Sequence, residues 1–524
     1  MRPFCLLFAA ALFALAAAAP AHAQDLTFSG YLDEISSAEH TFELAAGQTA
    51  LLIVRATSGD LDTVLSLYGP DGDLLAENDD FTRITRDSAL VHTAAVSGTY
   101  TARVEPYPAG GGAGDYQLTV TVGDESLNDT LAEMALHILS GPVLHREAPA
   151  FRVHYTLEGA DRTTEAYVDA LVAAMQAVYD TQVTQMGWPP PPPDGGRGGD
   201  DRFDIYVANL KQGEDVTFGY AQFEEPAADS AHPDAYTSFF VIENDFKEAE
   251  SDNPLGLMRA TLAHEFHHAI QFGFDFADAH DWYYEATAAY MEIVTVGADQ
   301  DAVRYVAYNF EYPELCFGTV DDPAGELMYG EWLFLQALAD DYGPDIVRAL
   351  WDNIALYEGF EALERTLAAY DTTITDALAR YRAKNLVRAY ALAPQFEATV
   401  WLENTITRTG TWIPGGSGVQ ELGANYFAFQ PAPGAYAVSL NGPDALALLG
   451  VGIAGTRADV FELGRRGVLD TSYYDDAYVI VFHTGYYDVY DCAYAFYSLD
   501  VQPAGALMAA PIYALDAQHF VPLE

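Results

Sequence analysis

Ala263-His264-Glu265-Phe266-His267-His268-Ala269-Ile270-Gln271 carries two histidines four residues apart, with a glutamate directly after the first. Residues at that spacing lie on one face of a helix, so two imidazoles can hold one metal ion. This HExxH pattern is a zinc signature, in which Glu265 can accept a proton from a zinc-bound water and pass it to a leaving amine. The pattern predicts a helix that carries a zinc site and its general base.

A catalytic zinc needs a third protein ligand, and the position of that ligand separates the families. The longer pattern HExxHxxGxxH would require glycine and histidine where this chain has Gln271 and Phe274. The other solution is a glutamate from a second helix. Sixteen residues lie between His268 and Glu285, and Asp281 is a predicted cap that places Glu285 in the opening turns of such a helix. Glu285 is therefore the candidate third ligand.

This combination resembles the gluzincin zinc metallopeptidases, which pair HExxH with a downstream glutamate that often follows a tryptophan and precedes small residues. The gap in this chain is slightly shorter than in the best-known members. The resemblance implies that His264, His268 and Glu285 ligate zinc, and that Glu265 is the general base and proton shuttle. It also implies a zincin-like architecture for the middle of the chain, which is similar to exported bacterial proteins classed as metallopeptidases.

Some gluzincins use a tyrosine before a long helix to stabilise the oxyanion of the reaction. Tyr329, in Leu327-Met328-Tyr329-Gly330, has a similar placement, and Tyr283 and Tyr284 are alternative candidates for the same role.

Two more side chains, His267 and Glu292, lie near the predicted ligands in the sequence. His267 is a worse ligand, because pairing it with His264 leaves Glu265 without a comparable role. His267 and Glu292 are predicted to pack or to orient a ligand imidazole by a hydrogen bond.

The start of the chain predicts export. Arg2, an apolar stretch from Phe4 to Ala19 and Pro20-Ala21-His22-Ala23 form a secretory signal peptide, residues 1–23, with cleavage after Ala23. Cys5 is not at a plausible cleavage point, so a lipid anchor is not expected. No other segment approaches the ~20 apolar residues of a membrane span. We predict a secreted or periplasmic protein.

Charge restricts the partners. The formal net charge of −53 comes from 77 acidic and 24 basic residues, so nucleic acids and anionic membranes are not expected as partners. A solvated acidic surface is the favoured explanation. The alternative is Ca²⁺ at acidic loops, with Asp62, Asp79, Asp80 and the segment 194–201 as candidates, although turn aspartates need no metal.

After signal removal only two cysteines remain, Cys316 and Cys492. The sequence does not decide whether they form a disulfide, and it does not decide the oligomeric state.

The pattern of strands and helices predicts a multidomain chain. Short β-type runs separated by turns fill residues 24–123, mixed strands and helices fill 124–394, and strands return in 395–524. Within 124–394, a helix with an apolar stripe is predicted over about 163–185, the HExxH helix is predicted to begin near Asn253-Pro254, and amphipathic helices are predicted over 345–356, 360–369 and 374–384. Residues 60–68 and 75–80 resemble the bacterial pre-peptidase C-terminal domain, a β-sandwich module common on secreted peptidases. We therefore expect an N-terminal β-sandwich, a central α+β zincin-like domain and a C-terminal β-sandwich.

Taken together, these features predict an exported zinc metallopeptidase acting on proteins or peptides. Endopeptidase action is favoured over aminopeptidase action, because no Gly-x-Met-Glu-Asn-type motif is found. Two alternatives stay open. One is a non-catalytic surface-binding protein with a structural zinc site, and the other is a zinc hydrolase of non-peptide bonds.

Overall fold

The computed structural model describes residues 24–33, 35–58, 61–81, 87–108, 112–128, 130–131, 139–212, 215–228, 230–247, 253–278, 280–319, 326–416, 418–486, 492–505 and 509–523. The predicted signal peptide lies outside them. By its contacts the chain divides into two compact units, residues 1–143 with 211–215 and residues 144–210 with 216–524. In the described part, no helix is both long and apolar enough to cross a membrane.

The first unit contains two antiparallel sheets. Its strands are β1 (Gln24–Leu32), β2 (Ala38–Leu44), β3 (Thr49–Ala56), β4 (Thr63–Tyr68), β5 (Leu74–Asn78), β6 (Ser88–Thr93), β7 (Gly98–Pro106) and β8 (Gly114–Gly123). The sheet orders are β1-β8-β3-β6 and β2-β7-β4-β5. Alternate residues of β8 are buried, because successive side chains of a strand point to opposite faces. Leu118 and Val120 of β8 join Leu65 and Val104 of the other sheet in one hydrophobic core.

The second unit begins with a mixed sheet. Its strands are β9 (Leu144–Glu147), β10 (Phe151–Tyr155), β11 (Phe203–Ala208), β14 (Gly219–Pro226) and β15 (Tyr236–Glu243). The short strands β12 (Lys211–Gln212) and β13 (Asp215–Val216) pair with each other, and residues 211–215 are assigned to the first unit. The sheet order is β14-β15-β11-β10-β9, with the three inner strands parallel and both outer strands antiparallel. Phe151, Ile205 and Phe240 of the inner strands lie in the core that the sheet shares with the helices.

Helices make up the centre of this unit. They are α1 (Glu165–Tyr179), α2 (Pro254–Phe272), α3 (Trp282–Val296), α4 (Val306–Glu311), α5 (Leu327–Gly330), α6 (Trp332–Tyr342), α7 (Asp345–Ile354), α8 (Gly359–Ala369) and α9 (Ile374–Val387). A π-helical turn, Asp180–Gln185, continues α1. The apolar stripe predicted for α1 comprises Tyr167, Leu171, Met175 and Val178; the last three are buried and Tyr167 is half-buried. The three helices expected after residue 344 correspond to α7, α8 and α9.

Strands return after α9. They are β16 (Leu402–Ile406), β17 (Gly410–Trp412), β18 (Val419–Gln420), β19 (Ala424–Phe429), β20 (Ala435–Asn441), β21 (Leu446–Ala454), β22 (Arg457–Gly464), β23 (Arg466–Asp470), β24 (Asp476–His483), β25 (Tyr494–Ala495), β26 (Ser498–Pro503) and β27 (Tyr513–Asp516). They form sheets of order β16-β19-β24-β21-β22-β27, β17-β26-β20-β23 and β18-β25. Sheet-rich ends and a helical centre are therefore confirmed, and the sandwich arrangement of each end stays a prediction.

The six-stranded sheet is covered on both faces. Every residue of β19 is buried. Tyr426 and Ile480 belong to the core that includes the helices, whereas Phe427 and Val479 belong to a second core shared with Val438 of the four-stranded sheet. The helices and the C-terminal strands consequently fall in one compact unit, and the boundary expected after residue 394 lies inside that unit.

Covalent and polar contacts join the loop after α4 to these strands. Cys316 and Cys492 form a disulfide with their Cα atoms 5.9 Å apart. Close by, the Gln420 backbone N–H donates to the Glu314 carbonyl at 2.8 Å, and the Gln420 side chain accepts the Cys316 backbone N–H at 3.0 Å. The bridge that the sequence left open is thus present, and it fastens the helical region to the C-terminal strands.

A buried polar cluster lies at the same junction. Asn309 of α4, Glu331 next to α6 and Arg382 of α9 are all buried. Arg382 donates to the carbonyl of Leu422 at 2.5 Å, and Leu422 has a positive φ of 63°. Burial raises the pKa of the Glu331 carboxyl to about 8, although the Arg382 guanidinium opposes that shift. Glu331 is therefore mostly protonated at neutral pH.

We expect Glu331 to make the folded protein less stable as the pH rises. The unfolded chain releases this proton near the ordinary pKa of 4.5, whereas the folded chain holds it up to about 8. The free energy of unfolding therefore falls between those pH values, by at most about 1.4 kcal/mol per pH unit for one proton. Glu331→Gln removes this slope, so its stability relative to the parent should be higher near pH 8 than near pH 5. Urea unfolding of both proteins measures this, and an equal difference at the two pH values would contradict it.

Candidate metal centre

The HExxH pattern lies on helix α2, which is largely buried in the second unit. The Asn253 side chain caps it by accepting a backbone N–H at 3.1 Å, and Pro254 occupies the first turn, as the sequence predicts. From Ala260 to Gln271, every side chain except that of His264 is buried. A helix that is buried nearly all round cannot place its polar side chains in solvent, so those side chains must find partners within the protein.

Helix α3 brings a carboxylate to the two histidines. It begins at Trp282, one residue after Asp281, but no side-chain hydrogen bond of Asp281 caps it. Glu285 lies in its first turn. The Glu285 Oε2 atom is 3.2 Å from His264 Nε2 and 3.5 Å from His268 Nε2. The structure thus brings together the three residues that the sequence suggested as metal ligands.

The spacing of these donor atoms fits a zinc ion. The candidate ligand atoms of His264, His268 and Glu285 all lie within 4.8 Å of one another. Two donors bonded to one tetrahedral zinc at about 2.0–2.1 Å are about 3.3 Å apart, close to both measured distances. Among the residues that the structure describes, this is the one group of three His, Cys, Asp or Glu side chains that is arranged to hold a metal.

Two oxygen acceptors determine which nitrogen of each imidazole faces the centre. Glu292 Oε1 is 2.9 Å from His264 Nδ1, and Gln271 Oε1 is 2.7 Å from His268 Nδ1. Both Nδ1 atoms therefore donate, and a neutral imidazole then keeps its Nε2 lone pair for a metal. The position of Glu292 agrees with the orienting role predicted for it. Gln271 was missed, although an amide three residues after a histidine on a helix can indicate such a contact.

A cavity of about 480 Å³ adjoins the donor atoms. Glu265 lines it together with the three candidate ligands. Strand β14, the outermost strand of the described sheet, contributes Gly219, Tyr220 and Ala221 to the lining. A Cβ atom at Gly219 would lie 2.9 Å from Glu265 Cγ and 2.8 Å from Thr261 Cγ2. Glycine at this position thus lets the strand approach α2 closely, and no local sequence pattern indicates that contact.

Tyr329 also lines the cavity. Its ring lies 6.0 Å from the His264 ring and 5.0 Å from the Tyr305 ring, measured between centroids. The hydroxyls of the competing Tyr283 and Tyr284 each donate to a backbone carbonyl of another segment at 3.2 Å. Among the three tyrosines considered from sequence, the geometry therefore favours Tyr329 as a donor toward the metal site.

Burial and neighbouring charges shift the pKa values of the site. Burial raises the pKa of the Glu265 carboxyl. Burial alone would also raise the pKa of Glu285, but His268 and His264 hold it well below its usual range. Burial and the Glu285 carboxylate raise the pKa of the Tyr329 hydroxyl. Glu265 is thereby suited to exchange protons, Glu285 stays ionised, and Tyr329 keeps a proton to donate.

His267 is fully buried and packs away from solvent. Its Nδ1 atom is 3.2 Å from Gln182 Oε1, and its ring is 4.6 Å from the Trp188 ring. Gln182 belongs to the π-helical turn and also donates to the Ala263 carbonyl at 2.9 Å. His267 therefore helps to attach α2 to the end of α1, which agrees with the packing role predicted for it.

The acidic loops considered for calcium do not form a comparable group of three side chains in the described part of the chain. In the segment 194–201, Asp200 pairs with Arg202 at 2.6 Å, and this contact holds the pKa of Asp200 well below its usual range. Calcium binding at Asp62, Asp79 and Asp80 stays a prediction.

No protein-family model and no curated protein matches the chain. Among solved structures, a periplasmic inhibitor of g-type lysozyme, PliG from Aeromonas hydrophila, is 18% identical over 19% of this chain and 87% of its own, with a TM-score of 0.17. The pre-peptidase C-terminal domain of a Bacillus anthracis collagenase is 20% identical over 18% of this chain and 88% of its own, with a TM-score of 0.16. An aminopeptidase N family protein from Idiomarina loihiensis is 10% identical over 90% of this chain and 98% of its own, with a TM-score of 0.33. The similar structures thus include proteins of peptidase type.

We expect Glu292→Gln to weaken zinc binding by about 10–100-fold, because a neutral amide replaces the charged carboxylate that makes His264 a more basic ligand. Competition with a chelator of known affinity measures the change. Glu397→Gln, at an exposed position, makes the same substitution away from the site and should leave the affinity unaltered. Equal affinities of the two variants would show that Glu292 does not support a ligand.

Proposed function

We propose that the chain is an exported zinc-dependent metallopeptidase with His264, His268 and Glu285 as zinc ligands. The observation that supports this most is that Glu265 lines the same cavity as three donor atoms spaced for one metal ion. Three protein ligands leave a fourth position for water or substrate, as in catalytic zinc sites. Structural zinc sites are usually closed by four protein ligands, which favours the enzyme over a surface-binding protein with a structural metal. The predicted signal peptide and the disulfide support export.

Each residue of the site has a defined task in peptide hydrolysis. A zinc ion, when bound, supplies an acidified water and a polarised substrate carbonyl. Glu265 takes the proton of the attacking water and delivers it to the leaving amine. Tyr329 donates a hydrogen bond from its hydroxyl to the carbonyl oxygen as that oxygen becomes negative. Glu292 and Gln271 hold the two imidazoles in the ligating tautomer.

Strand β14 favours endopeptidase action. It lies at one edge of the described sheet, and three of its residues line the cavity. An extended peptide can pair with such an edge through main-chain hydrogen bonds. Those bonds do not require a free substrate terminus, so an internal peptide bond can be placed beside Glu265.

The central test is digestion of a peptide library with zinc and with a chelator. We expect zinc-dependent cleavage in the parent protein. Glu265→Gln should lower kcat by about 10²–10⁴-fold, because it removes the proton acceptor, while zinc content stays at the parent level. Glu397→Gln is the matched control.

The outcomes separate the three functions considered. A protein that binds zinc but cleaves no peptide, with or without Glu265, is a structural zinc protein. Glu265-dependent cleavage of esters or amides, without cleavage of any library peptide, identifies a hydrolase of non-peptide bonds. Either result overturns the proposed peptidase function.

Tyr329→Phe tests the proposed oxyanion donor. Loss of one preorganised donor typically lowers kcat by about 10²–10³-fold, so we expect a decrease of that size with little change in KM. Tyr473→Phe, at a position that is 73% exposed, is the control for loss of a tyrosine hydroxyl. If both variants retain parent kcat, another group stabilises the oxyanion.

A further inference from the structure

One wall of the cavity is aromatic. Phe272 and Phe276 line it. Phe223 lies 5.7 Å from Phe272 and 5.2 Å from Phe276, measured between ring centroids. Tyr236 lies 4.1 Å from Phe276. These four residues, Phe223, Tyr236, Phe272 and Phe276, are referred to below as the aromatic shelf.

The aromatic shelf is only partly covered by the protein. Phe223 is 38% exposed, and the other three side chains are half-buried. Apolar surface left in water costs about 25 cal/mol per Å² relative to burial, so a ligand that covers these rings gains that free energy. A patch of exposed aromatic rings that continues into a polar cavity is typical of a binding surface.

The charge of the cavity restricts what can bind to the aromatic shelf. Glu265, Glu285 and Asp281 line the cavity, and no lining residue among those described is Lys or Arg. The chain as a whole carries a net charge of −53. Bound zinc would offset the charges of Glu265 and Glu285, so the repulsion of a carboxylate at the aromatic shelf comes from Asp281 and from the net charge of the chain, whereas a neutral apolar side chain loses little there.

Strand β14 relates the aromatic shelf to the reacting bond. Gly219 and Phe223 are four residues apart on this strand, so both belong to the same face. That face is turned toward α2, because a Cβ at Gly219 would meet Glu265. Four strand residues span about 13 Å, so the shelf lies within about four residues of the general base along a peptide paired with β14.

We infer that the aromatic shelf is a specificity subsite. It selects peptides that carry a large apolar side chain, above all an aromatic one, within about four residues of the cleaved bond. It rejects peptides with an acidic side chain at that position. This inference rests on the proposed peptidase function and adds the substrate class to it.

The test begins with the parent protein loaded with zinc. Mass spectrometry of the library digest aligns the cleaved bonds and locates the position where side chains matter. Three peptides that differ only there, with Phe, Ala or Glu, are then compared. We expect kcat/KM for the Phe peptide to exceed that for the Ala peptide by roughly tenfold or more, and the Glu peptide to be the poorest substrate.

Two variants assign the preference to the aromatic shelf. Phe276→Ala should bring the Phe-to-Ala ratio of kcat/KM toward one. Phe223→Arg places a cation on an exposed part of the shelf and should raise the Glu-to-Ala ratio above that of the parent. Phe496→Ala, at a position that is 68% exposed in the C-terminal strands, is the matched control and should keep both parent ratios. Thermal unfolding confirms that each variant is folded.

Failure of the inference differs from failure of the proposed function. Cleavage that depends on Glu265 but is equal for the Phe and Glu peptides overturns the subsite and leaves the peptidase intact. Ratios that do not change in Phe276→Ala and in Phe223→Arg overturn it as well. Absence of any Glu265-dependent peptide cleavage overturns both proposals.

Discussion

Ionisable side chains are buried between α2 and α3, and they are tolerated there only because they pair with one another. A single carboxylate or imidazolium in such surroundings would cost several kcal/mol. Glu285 lies between the two histidines, and Glu292 engages the other nitrogen of His264. With Glu265, three carboxylates face two imidazoles, an imbalance that a divalent cation would correct. The packing of the two helices and the close approach of β14 both serve this arrangement.

The loop between the two helices explains how a short connection can still align the ligands. The Gln271 amide that holds His268 also donates to the Tyr284 carbonyl at 3.0 Å, directly before Glu285. The Asp278 backbone N–H donates to the Tyr284 hydroxyl at 3.0 Å, and the Asp278 carboxylate accepts the Gly359 N–H at 2.8 Å. These contacts fix the start of α3 against the end of α2. The connection between His268 and Glu285, which is slightly shorter than in the best-known gluzincins, is therefore held in place by hydrogen bonds within the loop and by one hydrogen bond to Gly359 of α8.

Much of the site followed from local patterns, and the rest depends on distant contacts. Helix periodicity and a cap were enough to predict α2, and a second helix start was enough to suggest Glu285. The choice of Tyr329 over Tyr283 depends on the hydrogen-bond partner of each hydroxyl. Those partners lie far away in sequence, so no local pattern identifies them. The role of Gly219 could not be predicted either, because it depends on the close approach of β14 to α2 in the folded chain. The apolar run in β19 is typical of a strand, but it does not show that helices cover one face of that strand.

The last strands of the chain complete the core around helices that precede them by many residues. The disulfide that joins these regions spans 176 residues of sequence. Contacts between such distant segments form late in folding, because the intervening chain must first be ordered. Helices α2 and α3 therefore lack part of their apolar cover while the chain is still being synthesised, and a reducing compartment leaves the bridge unformed. If the chain is exported as proposed, its core and its disulfide are completed only after synthesis and outside the reducing compartment.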